Sequence, residues 1–251
     1  MENNPASLPE NSCPDLTVML PAYGEADNLR ELLPKIKTIA QSLGLTTQIL
    51  VLDAAEPLDN TPEVCRINEV THLPRRGGNR YGDAIRTGIK AATGQFIVSM
   101  DADGSHNPQF IVQLWENRHK ADVIIASRYI PGGFTENPWL LVVMSRLLNV
   151  VFKIFVGMPV YDISNSFRLY RGDILRQIEP TYANFDVLEE ILAKIIWGKI
   201  ATPATVCEVP FRFEQRKHGK PKRKLIVFII QFVTALLKLR LLRAQSQGPK
   251  V

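Results

Sequence analysis

Two aspartates one residue apart, Asp101 and Asp103, follow an apolar strand-like segment, Phe96 to Met100, within the stretch QFIVSMDADGSHNP. A buried parallel strand that ends in a carboxylate pair has a definite chemical use. Ligands of open α/β sheets bind outside the carboxyl ends of the strands, and hard divalent cations take oxygen ligands. The pair therefore suits a cation that carries a nucleotide diphosphate. An Asp-x-Asp is common by chance, so its surroundings must decide. The plain structural alternative is a strand-end turn followed by a helix that Asn107 caps and Pro108 opens.

The elements around the pair alternate. Leu16 to Leu20 is a short apolar run between Pro14 and Pro21, as expected of a buried first strand. A helix begun by Glu25 or Asp27 carries Leu29, Leu32, Leu33, Ile36, Ile39 and Ala40 at helical spacing and ends at Gly44. Gln48 to Leu52 is a second strand that delivers Asp53, and AAEPLDNTPE reads as a loop. A weak strand at Val70 to Leu73 leads through PRRGGNRYGDA into a helix with Ala84, Ile85, Gly88, Ile89 and Ala92 on one face. The strand before the aspartates, a helix from Pro108 to about Arg118 and a strand over Ala121 to Ala126 complete the series. This order predicts an α/β fold, with a mostly parallel twisted sheet covered by helices on both faces.

Beyond Arg128 the pattern changes. Leu140 to Val156 is apolar almost all round, so the helix is either deeply buried or rests on a lipid surface. A helix from Asp186 to Ile196 and a strand from Thr205 to Phe213 follow, then the basic loop EQRKHGKPKRK. Leu225 to Leu237 is an apolar stretch too short for an untilted span, flanked by Lys222, Arg223, Lys224, Lys238, Arg240 and Arg243. Basic flanks of this kind favour an interfacial helix on anionic lipid over the alternative, a terminal helix docked on the core. The chain thus divides into a leader at 1–14, an α/β domain at 15–221 and a basic-flanked apolar helix and tail at 222–251.

Bulk properties limit the partners. With 251 residues and 45% hydrophobic content the chain can bury a sizeable core. A net charge of +5 favours an anionic partner. Cys13, Cys65 and Cys207 are far apart and lack metal-ligand spacing, which points to plain thiols in a reducing compartment. The polar first residues have no apolar stretch of a signal peptide. Nucleic acid is disfavoured, because the basic residues flank apolar segments and lack interleaved stacking aromatics.

PAYGE after the first strand, Asp53 after the second, GDAIRTGIKAATG, MDADGSHNP, ASRYIPGG, DISNSFRLYRGD, and EVPFRF followed by RKHGKPK occur in one order. This ordered set resembles family 2 glycosyltransferases of GT-A fold, and among them the dolichol- or polyprenyl-phosphate mannosyltransferases and glucosyltransferases. The resemblance runs from about Leu16 to Lys224. It implies that Pro21, Tyr23, Glu25 and Asp53 bind the donor nucleotide, and that Asp101 and Asp103 hold Mg²⁺ or Mn²⁺ on its diphosphate. By the same resemblance Arg128 faces the acceptor phosphate, and Arg216 and Lys222 close on the donor. Asp162 either orients acceptor or sugar or is a turn carboxylate, and Glu190 either contacts sugar hydroxyls or pairs with Lys194 at i+4. The implied reaction passes a hexose from GDP-mannose or a UDP-sugar to polyprenyl or dolichyl phosphate with inversion, on the cytoplasmic face of a membrane. Room remains for a membrane-protein partner.

Several positions depart from that family. The second strand ends Asp53-Ala54-Ala55-Glu56 where a second aspartate with Gly and Ser is usual, which removes a carboxylate and a flexible turn. Gly24 stands in place of a common asparagine, Arg80 in place of a glycine, Ser105 in place of a glutamine and Pro221 in place of a serine. No basic residue shortly precedes Ser145. These changes keep a second function open, a non-catalytic sugar-nucleotide or lipid-binding subunit.

Overall fold

The computed structural model describes residues 13–198, 204–214, 234–241 and 243–244. The chain runs β1 (Leu16–Pro21), α1 (Ala26–Ser42), β2 (Thr47–Asp53), α2 (Thr61–Ile67), β3 (Thr71–Pro74), α3 (Tyr81–Ala91), β4 (Phe96–Ser99), α4 (Phe110–Glu116) and β5 (Val123–Ser127). It continues with β6 (Phe134–Thr135), α5 (Trp139–Val151), β7 (Arg168–Arg171), α6 (Gly172–Leu175), α7 (Val187–Trp197), β8 (Val206–Pro210) and β9 (Arg212–Phe213). Seven strands form one sheet in the order β3-β2-β1-β4-β7-β5-β8, and β6 pairs with β9 apart from it. Every pair in the large sheet is parallel except those of β7, which is antiparallel to both β4 and β5.

Alternation along the strands sorts side chains to two cores. Leu16, Val18 and Leu20 of β1 join Leu29, Leu33 and Ile36 of α1 and Phe110, Ile111 and Leu114 of α4 on one face. Met19 of the same strand joins Ala84, Ile85 and Ile89 of α3 and Val187, Leu188 and Ile191 of α7 on the other. Helix α3 lies so close to its neighbours that at Gly82, which faces backbone, only glycine fits, while at Gly88 a larger residue would push aside side-chain ends. A Cβ on Gly88 would stand 2.5 Å from Leu52 Cδ1, and one on Gly82 would stand 2.2 Å from the Tyr182 carbonyl oxygen. The two core faces account for the α/β arrangement expected from the sequence.

Some expectations are corrected. The loop read as AAEPLDNTPE ends early, because Thr61, Pro62 and Glu63 form the first turn of α2, with proline suited to that place. Helix α1 starts after Glu25, its N-cap residue, as expected, but the Glu25 side chain makes no capping bond; Asp59, from the loop after β2, accepts the Ala26 N–H at 2.8 Å and the Thr61 N–H at 2.9 Å, so one carboxylate serves two helix starts. Burial opposes its charge, yet the bonds from Thr61 and Ala26 hold the Asp59 carboxyl below its ordinary value. The strand expected over Thr205 to Phe213 breaks into β8 and β9, which pair with different partners.

The apolar helix after Arg128 is not deeply buried. Helix α5 continues through a π-helical turn, Phe152–Val156, and the 18 residues Trp139–Val156 have a mean hydropathy of 1.9 with only 17% buried. By length and composition this segment could cross a membrane. Leu140, Val143, Leu147, Val150 and Ile154 form an exposed stripe along it. Near the C-terminus, the described part departs from a purely interfacial helix. Residues 234–241 are helical, and Ala235 and Leu239 are buried in the second core. Arg243 donates to the Val156 carbonyl at 2.7 Å. Residues 1–12 of the expected leader, the basic loop after Glu214 and most of Leu225 to Leu237 lie outside the described residues.

Arg168 anchors the antiparallel strand. It is fully buried, and its guanidinium donates to the carbonyls of Asn165 at 2.7 Å, Leu188 at 3.0 Å and Ile163. Replacing it leaves three buried acceptors unsatisfied, each costing about 1–3 kcal/mol. Arg168→Met is therefore expected to lower the unfolding free energy by at least about 3 kcal/mol, measured by urea denaturation. Arg176→Met, at a surface turn, should cost well under half of that.

Candidate active site

Strand order changes direction at β1, which has β2 on one side and β4 on the other. The crevice outside the carboxyl ends of these strands is the expected ligand position in such a sheet. Pro21, Tyr23 and Glu25 leave β1 there, and Asp101 and Asp103 leave β4. The Met100 N–H bonds to the Met19 carbonyl at 3.1 Å, the last sheet contact before the chain turns away. Asp103 Oδ1 accepts the Ser105 N–H at 3.0 Å and the Ser105 hydroxyl at 2.6 Å, closing a tight turn. Asp101 Oδ1 accepts from the Tyr81 hydroxyl at 3.3 Å, and the Tyr81 ring stacks on Phe185 at 4.2 Å. A cleft of about 210 Å³ opens on the α1 side of this turn, lined by Asn28, Glu31, Lys35, His106, Asn107 and Glu214 among others, but not by the two aspartates.

The two carboxylates fit a hard cation. Among the described residues no group of three His, Cys, Asp or Glu side chains converges to form a complete protein cage. Mg²⁺ sites commonly consist of one or two carboxylates completed by water and substrate phosphates, so a two-aspartate turn at the crevice matches that type.

Asp53 stands differently from the sequence expectation. It is fully buried, with Oδ1 accepting the Ala54 N–H at 2.7 Å and Oδ2 lying 3.1 Å from His72 Nε2. The carboxylate is closed off from solvent rather than an open acceptor. Above it lies Arg75, also buried, which donates to the carbonyls of Ala22 and, at 2.9 Å, Asn79. Burial pulls the Arg75 guanidinium below its ordinary value, while the negative charge of Asp53 opposes that shift. Tyr23 is partly exposed with its ring 5.3 Å from Arg75. Glu25 accepts from Asn28 at 2.7 Å. The altered loop is itself tied down, since the Ala55 N–H donates to Asn79 Oδ1 at 2.8 Å. His72 and Arg75 gave no sequence signal beyond their place at the end of a weak strand.

Across the crevice, Arg128 and Asp162 form a nearly buried ion pair. Arg128 donates through Nε and Nη2 at 2.7 Å each, its backbone N–H adds a third bond at 2.9 Å, and Ser164 accepts from Nη2 at 3.1 Å. Burial disfavours the charge, but Asp162 overcomes this and raises the Arg128 guanidinium above its ordinary value. Asp162 thus orients Arg128. The flanking tyrosines each carry a cation from the segment Trp139–Val156. Arg146 lies 5.7 Å from the Tyr129 ring, on which Arg128 also rests at 5.0 Å, and Lys153 lies 3.6 Å from the Tyr161 ring.

Glu190 serves the fold. It is buried, pairs with Lys194 at 2.8 Å as the i+4 spacing allows, and accepts from the Thr181 and Tyr182 N–H groups at 2.9 and 2.7 Å. These bonds leave it holding the loop that packs on α3 rather than reaching a sugar. Arg216 and Lys222 lie outside the described residues.

The family description Glycosyl transferase family 2 matches residues 17–179, a span that contains the crevice, both aspartates and the Arg128–Asp162 pair. The chain belongs to glycosyl transferase family 2. This family 2 chain is 31% identical over 216 residues to a dolichol-phosphate mannosyltransferase of Pyrococcus furiosus, covering 83% of this chain and 59% of that protein. It is 28% identical over 222 residues to a polyprenol monophosphomannose synthase of Mycolicibacterium smegmatis, covering 82% of this chain and 79% of that one. The chain therefore spans under two thirds of the archaeal relative's length. In fold it is similar to glucosyl-3-phosphoglycerate synthase from Mycobacterium tuberculosis, solved with Mn²⁺, uridine diphosphate and phosphoglyceric acid. The TM-score is 0.68 at 16% identity, covering 90% of this chain and 78% of that chain. The GT-A α/β fold and the family expected from the ordered motifs are both borne out.

Removing one partner of a buried ion pair leaves an uncompensated charge, typically costing about 3–5 kcal/mol. Asp162→Ala is expected to destabilise the protein by about 3 kcal/mol or more in urea denaturation. Adding Arg128→Met should recover part of that loss, because the double variant no longer buries a lone charge.

Proposed function

We propose that this family 2 glycosyltransferase moves a hexose from a nucleotide-diphosphate sugar, of the GDP-mannose or UDP-glucose type, to a polyprenyl or dolichyl phosphate. The observation that carries the reading is the meeting of oxygen donors and a fixed guanidinium at one crevice beside an exposed apolar helix. Asp101 and Asp103 stand on one side, the oriented Arg128 on the other, and the stripe Leu140 to Ile154 next to it. Two relatives whose names join mannose to a dolichol or polyprenol phosphate favour mannose as the hexose.

The residues divide the work. Tyr23, with Arg75 and the His72–Asp53 pair beneath it, offers a partly exposed aromatic and polar floor for the nucleotide. Asp101 and Asp103 would hold Mg²⁺ or Mn²⁺, which when bound supplies positive charge to the leaving diphosphate. Arg128 presents a charge to the acceptor phosphate in a geometry that Asp162 and Ser164 fix in advance, so little reorganisation is needed. The acceptor is already an anion and needs no strong general base. A phosphate oxygen bonds to the sugar C1 as the C1–O bond to the nucleoside diphosphate breaks. The leaving diphosphate takes the electron pair, and attack from the opposite side inverts C1.

The lipid tail of such an acceptor requires an apolar surface near Arg128. The stripe on α5 and its π-helical continuation provides one. Arg146 and Lys153, seven residues apart and so on one side of the helix, add positive charge beside it. We place the protein on the cytoplasmic face of a membrane, with this segment as its contact.

Purified protein incubated with labelled GDP-mannose, Mg²⁺ and polyprenyl phosphate is expected to form a lipid-linked product, with labelled UDP-glucose as the second donor. Asp101→Ala should lower the rate by about 10²-fold or more, the usual scale for losing charge stabilisation of a transition state. Absence of lipid-linked product with either donor, together with nucleotide binding indifferent to metal, would favour the non-catalytic subunit. The double variant Leu147→Glu with Ile154→Glu should lose retention on anionic vesicles while unfolding at the wild-type temperature, since both side chains are exposed.

A further inference from the structure

The turn carrying the two aspartates rests against one ring. His106 is 1% exposed, and its Nδ1 accepts the Asp101 backbone N–H at 3.0 Å. That N–H is the first beyond the last sheet contact of β4, so no strand carbonyl lies in register to take it. A buried N–H left without an acceptor costs about 1–3 kcal/mol. Because Nδ1 is the acceptor, the proton of the neutral ring is on Nε2, a buried atom that makes no hydrogen bond among the described residues.

The same ring is packed on three sides. Its face stacks on Phe167 at 4.9 Å and 15°, and it meets Phe211 and Phe213 edge-on at 5.8 and 5.7 Å. Phe167 immediately precedes β7, and Phe211 and Phe213 flank Arg212 at β9. Its sequence neighbours bind to the end of β9 as well. The Glu214 N–H donates to the Ser105 carbonyl at 3.3 Å, and Asn107 Nδ2 donates to Glu214 Oε1 at 3.3 Å. Three consecutive residues thus tie the aspartate turn to the strand whose continuation is the basic stretch.

We propose that His106 is the positioning residue of the Asp101-x-Asp103 turn. Its Nδ1 fixes the Asp101 peptide, and its ring seats the start of β7 and β9 against the turn that carries both carboxylates. Packing alone would not call for a nitrogen, since phenylalanine fills nearly the same space. Anchoring alone would not call for a ring, since asparagine can place an acceptor near the same point. Histidine meets both demands. That the aspartates serve a cation on a nucleotide diphosphate rests on the function proposed above; the positioning role does not.

Two variants of the full chain separate the parts. His106→Phe keeps the ring and removes the acceptor, and His106→Asn keeps an acceptor and removes the ring. Amide hydrogen exchange at Asp101, the melting temperature, and Mn²⁺ affinity measured by calorimetry with GDP or UDP present are the readouts. His106→Phe is expected to melt within a few degrees of wild type, exchange Asp101 about tenfold faster and bind Mn²⁺ about tenfold more weakly, the scale of one lost hydrogen bond. His106→Asn should melt lower yet keep Asp101 protection and Mn²⁺ affinity closer to wild type than His106→Phe does. Native exchange at Asp101 in His106→Phe overturns the proposal, whatever the fate of His106→Asn. If the wild type itself shows no Mn²⁺ response, the functional reading fails while the exchange rates still decide the role of His106.

Discussion

An antiparallel strand inserted between two parallel neighbours is the constraint on which the site depends. β4 and β5 are consecutive members of the parallel series, yet β7 separates them and pairs with both. To enter from the opposite direction, the chain must cross the carboxyl ends of the sheet, and the crossing segment holds Asp162, Ser164 and Asn165. Asp162 reaches Arg128 at the end of β5, and Asn165 donates to the Ala126 carbonyl. Arg168 then secures the first residue of β7 through three carbonyls. The guanidinium assigned to the acceptor is thus a product of the insertion, and Phe167, on which His106 stacks, enters the core by the same route.

Electrostatics follows from burial. Asp53, Arg75, Asp162, Arg168 and Glu190 are all withdrawn from solvent, and each is matched by partners with two or more contacts. Buried charges persist only when paired and hydrogen-bonded, so these networks act as rigid supports. Tyr23, Asp101 and the edge of Arg128 next to α5 keep exposed surface, and these are the groups that the proposed reaction would use. In the proposed reaction a charge fixed in advance, as Asp162 fixes Arg128, would meet a phosphate without the reorganisation that water requires.

Much of this was legible in the sequence because local rules govern it. The apolar runs at Leu16, Ile49 and Ile97 are buried strands, and the alternation with helices gives the parallel sheet. The Asp-x-Asp follows β4 and Arg128 follows β5, each just after the apolar run that predicted the strand. What stayed hidden depends on contacts distant in sequence. Asp59 capping α1 from 33 residues away, His72 covering Asp53 and Arg75 reaching Ala22 have no periodicity to betray them. Glu190 was ambiguous for the same reason, as its Thr181 and Tyr182 partners belong to an irregular loop. The apolar segment at 139–156 could be read from composition as buried or exposed, and only its placement decided that it is exposed.

The central claim is that the crevice between β1 and β4 binds a nucleoside diphosphate through a cation held by Asp101 and Asp103. A ligand that binds only the native state raises the melting temperature. The most direct measurement is therefore the melting temperature of wild type and Asp103→Asn with GDP-mannose or UDP-glucose, each with and without Mg²⁺. The account predicts a rise with one of the two donors that requires Mg²⁺ and disappears in Asp103→Asn. A rise of equal size without Mg²⁺, or one retained in full by Asp103→Asn, would contradict it.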